Sequence, residues 1–126
     1  MRVNRLSVLL LLCGWLCLSP VAPALAQATP AAKVMPAILE FDRKLCPICQ
    51  ASERVILAVK DRYAGQFVVR KFYIDEEEML FRRYRVAIVP TQVFLDAAGQ
   101  EVSRHEGVYT QEALIQKLRE LKFIRD

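Results

Sequence analysis

The sequence predicts an α/β domain built on a mixed four-stranded sheet with helices on both faces, in the order β-α-β-α-β-β-α. Three observations carry that expectation. Short apolar and β-branched runs alternate with segments whose apolar residues recur at helical spacing. Two late runs flank Asp96-Ala97-Ala98-Gly99, a hairpin signal. A chain of 126 residues, 54% of them apolar, is the size of one domain with one core. Strands joined through helices are expected to run parallel and the final hairpin antiparallel. With 25% charged residues and a net charge of +4, the composition is neither that of a disordered chain nor basic enough to argue for nucleic acid.

Residues 1–26 read as an address rather than as part of the fold. Arg2 and Arg5 precede an uncharged stretch over 6–18, followed by Pro20, Pro23 and Ala24-Leu25-Ala26. Basic, apolar and small-x-small segments in that order predict a secretory signal peptide cleaved after Ala26. The apolar stretch is short for a bilayer span of about 20 residues, so no stable membrane insertion is expected after cleavage. Removing 26 of 126 residues would leave 100, with 16 basic and 14 acidic side chains and two of the four cysteines, Cys46 and Cys49. Residues 27–36, with two prolines and three alanines, read as a linker, and 37–126 as the domain.

Within the domain, 37–41 is a short apolar run and a buried-strand candidate. Pro47 suits a first helical turn, and Ala51, Val55, Ala58 and Val59 mark a helix to about Tyr63, with Gly65 as its left-handed stop. Residues 67–74 are rich in aromatic and β-branched side chains and form the second strand. Asp75 is expected to cap a short helix with Glu78 three residues on, and Arg82 and Arg83 suit its other end. The last strands cover 91–95 and 100–106. Thr110 then caps a helix carrying Leu114, Ile115, Leu118 and Leu121 on one face.

Cys46-Pro47-Ile48-Cys49 follows the first strand and opens the first helix. Two intervening residues in a helical turn bring the sulfurs within disulfide reach. At the helix N-terminus, unpaired backbone N–H groups and the helix dipole favour a thiolate on Cys46, whereas Cys49, one turn in, is shielded. That asymmetry separates an attacking cysteine from a resolving one. Structural zinc wants four ligands, and the domain offers these two cysteines and one histidine, His105, so no metal is expected. A static disulfide is the other alternative, but closing so small a loop gains little.

Further residues stand in register with the motif. Val89-Pro90-Thr91 places a proline 44 residues after Cys46, Lys71 and Asp75 bracket the second strand's end, Glu40 lies six residues before Cys46, and Gly107 follows the hairpin. Over about 37–123 this pattern resembles the thioredoxin fold, here trimmed of an opening strand and helix. The resemblance implies that Pro90 is cis and that it, Val89, Pro47 and Ile48 line the substrate site. It also implies that Glu40 is a buried carboxylate that accepts the proton of Cys49. Burial would raise the pKa of Glu40 and Lys71 would lower it; the alternative is a surface ion pair between the two. The chain departs from the family at Leu45, where thioredoxins usually carry tryptophan, and at Pro47-Ile48, which is not their Gly-Pro pair.

These residues lead to the expectation of a periplasmic thiol–disulfide oxidoreductase with Cys46, Cys49, Glu40 and Lys71 as its machinery. It would act as a reductase or electron carrier for protein disulfides, extending to cytochrome c maturation. No flavin, nicotinamide or metal motif is present, so no cofactor is expected and electrons would come from a membrane-embedded protein donor. Two other readings stand beside it: an oxidase that donates its disulfide to folding proteins, and a non-catalytic binding module on the same fold.

Overall fold

The computed structural model describes residues 34–126; the export signal expected over 1–26 and the linker as far as residue 33 lie outside the described residues. The elements are β1 (Ala37–Asp42), α1 (Pro47–Arg62), β2 (Val68–Tyr73), α2 (Glu78–Arg83), β3 (Thr91–Leu95), β4 (Glu101–Glu106) and α3 (Gln111–Glu120). They form one four-stranded sheet in the order β2-β1-β3-β4. β1 pairs in parallel with β2 and antiparallel with β3, and β3 pairs antiparallel with β4. With neighbours on both edges and helices above and below, all six residues of β1 are buried. This is why its sequence is a continuous run rather than an alternation.

One expectation is corrected here. β3 is joined to β2 through α2, yet it runs antiparallel to β1 and so antiparallel to β2. A parallel connection must carry the chain back to the end where the strand began. α2 has six residues, a rise of about 9 Å, against the ~20 Å of a six-residue strand. The chain therefore enters β3 from the end at which β2 stops.

Alternation along β1 divides the core. Ile38 faces Phe94, Ile56 and Val59 of α1, and Leu114 and Leu118 of α3. Leu39 and Phe41 face Val93 and Phe81 of α2, with the Phe41 and Phe81 rings edge to face at 5.0 Å. The buried face of α1 is Cys49, Ser52, Ile56 and Val59; of the expected Ala51, Val55, Ala58 and Val59 stripe, Val59 is buried, Val55 packs half-buried against the core, and Ala58 is exposed. The short helix differs too: Asp75 is not its cap, for α2 follows Glu77, which makes no side-chain cap hydrogen bond. Glu77 instead turns back to accept from the Tyr73 amide at 3.1 Å. The hairpin and α3 follow expectation. Asp96 accepts from the amides of Ala98 and Gln100, Gly99 takes φ +78° where the turn requires it, and Thr110 caps α3 through the Ala113 amide.

Candidate active site

Three residues after β1 lead the chain to Cys46, which is the N-cap of α1 with extended backbone angles (φ −105°, ψ 109°). Its sulfur accepts from the amide of Cys49 at 3.3 Å. Pro47, the first helical residue, has no N–H of its own to leave unpaired. Cys46 and Cys49 are joined in a disulfide with Cα atoms 5.2 Å apart, an ordinary separation for such a bond. The two sulfurs are unequal. Cys46 is half-buried at the rim, whereas Cys49 is 2% exposed.

The rim around Cys46 is apolar. Leu45 is 94% exposed with a left-handed φ of 55°, and Ile48 and Ile88 are each more than half exposed. Pro47 is exposed beside them. The Val89–Pro90 peptide is cis, with Val89 half-buried and Pro90 buried. Thr91, next in line, pairs with Phe41 on one side and Glu106 on the other. This register puts Val89 and Pro90 at the same end of the sheet as the loop that carries Cys46. The amide of Gly107 donates to the Pro90 carbonyl at 2.8 Å and so ties β4 to that turn.

Beneath the helix, Glu40 is 1% exposed on β1, and the register places Lys71 across from it on β2 and Gln92 across from it on β3. Burial pushes the Glu40 carboxyl up to about 7, helped by the Asp42 charge; the Ser52 hydroxyl and the Lys71 ammonium act against it. Lys71 is not paired with Glu40, as one reading of the sequence had it. Its ammonium lies 2.7 Å from Glu53 of α1 and 3.1 Å from Asp42 of β1. Burial alone would lower the Lys71 pKa, but these two partners, with Glu40, hold it above the ordinary lysine value.

Asp42, Glu53, Ser52 and Gln92 are the members that the sequence did not disclose. Asp42 is completely buried. Its ion pair with Lys71 lacks hydrogen-bond alignment, and neither carboxylate oxygen has a hydrogen-bond partner. Burial raises its pKa, Lys71 pulls it down, and Glu53 adds to the rise. A signal was available: Ile38, Glu40 and Asp42 alternate, so a second acid two residues after Glu40 had to share its face. Asp42, Lys71 and Glu53 line a cavity of about 470 Å³ together with Cys49 and Leu45. The cavity opens beside the inner sulfur, between Leu45 and the Asp42, Lys71 and Glu53 cluster. His105 lies on β4, its ring stacked 3.8 Å from that of Tyr109.

The arrangement can carry thiol chemistry: one accessible sulfur at a helix N-terminus, one buried sulfur behind it, and a buried carboxyl able to change protonation near neutral pH. Comparison with known proteins agrees. Residues 21–122 match the family model described as a thioredoxin-like domain. Thioredoxin-1 of Drosophila melanogaster is 34% identical over 58 residues, which are 46% of this chain and 54% of that protein. The chain thus spans about half the length of the curated relatives it matches. Among solved structures, the germline-specific thioredoxin Deadhead of Drosophila melanogaster matches with a TM-score of 0.64 at 27% identity, over 72% of this chain and 85% of that one. A thioredoxin-like protein from Clostridium perfringens matches with a TM-score of 0.64 at 28% identity, over 74% and 75%.

Proposed function

The chain belongs to the thioredoxin-like domain family, and from that membership we propose that it is an exported thiol–disulfide oxidoreductase that reduces disulfides in other proteins. The observation that carries the reading is the placement of Cys46 as the N-cap of α1, partly exposed and bonded to a buried Cys49. Export is supported by the basic, apolar and small-residue order of 1–26.

In the reduced protein, the Cys46 thiolate attacks one sulfur of a substrate disulfide. That bond breaks, the departing substrate sulfur takes the electron pair, and a mixed disulfide forms on Cys46. The Cys49 thiol then passes its proton to the Glu40 carboxylate and attacks the Cys46 sulfur, releasing the second substrate thiolate. Two electrons have moved to the substrate, and the protein is left with the Cys46–Cys49 disulfide. Val89 presents its backbone to an extended substrate segment beside Pro90, and Pro47 and Ile48 meet the substrate's apolar side chains. Lys71 restrains the rise in the Glu40 pKa. A dithiol on a membrane-embedded protein would restore the reduced state, and cysteines awaiting haem attachment in cytochrome c are one class of client.

The reducing direction rests on Ile48, which offers neither charge nor hydrogen bond to a Cys46 thiolate and so does not favour the reduced form unduly. Insulin-disulfide turnover and redox titration test the reading together. Cys46→Ser should abolish turnover, Cys49→Ser should accumulate mixed disulfides, and the midpoint should lie nearer about −270 than about −120 mV. Full turnover by Cys46→Ser would overturn the enzyme, and a midpoint at the oxidising end would make it an oxidase.

A further inference from the structure

Gln92 has no exposed surface, and Ser52 is 1% exposed. The Gln92 Nε2 donates to the carbonyl of Gly107 at 3.1 Å and to the Ser52 hydroxyl oxygen at 2.9 Å. A carbonyl oxygen can only accept, so Gly107 fixes which end of the amide is nitrogen. Because Ser52 Oγ accepts from that nitrogen, its own proton is left to donate elsewhere. The Glu40 carboxylate stands opposite Gln92 in the sheet register, with its Oε1 in no hydrogen bond, and the Ser52 hydroxyl pulls its pKa down. The amide of Gly107 donates in turn to the carbonyl of Pro90. The Gln92 amide thus holds both Gly107 and Ser52, and so ties the cis-proline turn to a hydroxyl beside the buried acid.

We propose that Gln92 and Ser52 are positioning residues that aim one hydroxyl proton at Glu40 and thereby set the pH at which this carboxylate can take the proton of Cys49. The inference rests on the reading of Glu40 as that acceptor. The Ser52–Gln92 pair favours the ionised form, since a donor aimed at a carboxylate stabilises its charge. The other charged groups that act on Glu40 are Asp42 on its own strand, Lys71 on β2 and Glu53 on α1, and Cys49 lies one turn before Ser52 on the buried face of α1. His105 follows beyond Gln92 on β4. None of these would be altered by substitution at Ser52 or Gln92.

The test is the pH dependence of mixed-disulfide resolution by Cys49, measured by single-turnover release of a model thiol from Cys46. Ser52→Ala should move the midpoint upward by about one pH unit, the size of a lost charge-assisted hydrogen bond. Gln92→Leu should move it in the same direction by less, because the freed hydroxyl can turn away. Ser52→Thr, which keeps the hydroxyl, should hold the original midpoint. Formation of the mixed disulfide by Cys46 should keep its pH profile in all three. If Glu40→Gln abolishes the midpoint while Ser52→Ala and Gln92→Leu leave it in place, the positioning role is overturned and the acceptor stands. If Glu40→Gln itself leaves the profile intact, the acceptor falls and this inference with it.

Discussion

Glu40 is held where its charge is least welcome, in the middle of the central strand, with Asp42 two residues away on the same face. Its carboxyl is raised from an ordinary 4.5 to about 7, by burial first and by Asp42 second. A raised pKa on an acid means that the folded state binds a proton that the unfolded chain has already lost. The contribution to stability is therefore complete below pH 4.5 and disappears as the pH rises through 7. Glu40→Gln should remove that loss. Denaturant melts should show the variant gaining on the parent between pH 4.5 and 8, by up to about 3 kcal/mol. A constant difference across that range would mean that Glu40 is ionised throughout.

The elements hold these residues by local chemistry that can be tested one cap at a time. α3 buries Leu114, Ile115 and Leu118 against α1 and the sheet, and it begins where the Thr110 hydroxyl accepts from the Ala113 amide at 3.2 Å. Thr110→Ala should cost about 1 kcal/mol in chemical denaturation and leave disulfide exchange at Cys46 unchanged, since α3 does not reach the cysteines. A loss of exchange would tie α3 to the site. The periodicity of 111–121 and the turn chemistry of 96–99 made these elements readable in sequence, because each is governed by neighbours within four residues. The buried face of α1 was not. Its apolar residues outnumber those that the core can take, and Ser52 and Cys49 occupy inward positions that hydrophobic spacing assigns to others. The direction of β3 was hidden for a related reason, because α2 is too short to follow the rule that longer crossovers obey.

At the scale of the whole molecule, the sheet order β2-β1-β3-β4 places the CxxC loop and the cis-proline turn at one end of adjacent strands. Cys46, Cys49 and Pro90 were legible because their spacing along the chain carries the pattern. Asp42, Glu53, Ser52 and Gln92 were not, since they join the site through strand register and helix facing rather than through spacing. The fold makes two cysteines three residues apart chemically different, one capping a helix and one enclosed by it. Alkylation of the fully reduced protein as a function of pH tests that difference most directly. One thiol should ionise well below the ordinary value of about 8.5, with its fast phase absent from Cys46→Ser and kept in Cys49→Ser. Two thiols that both titrate near 8.5, or a fast phase that survives Cys46→Ser, would contradict the account.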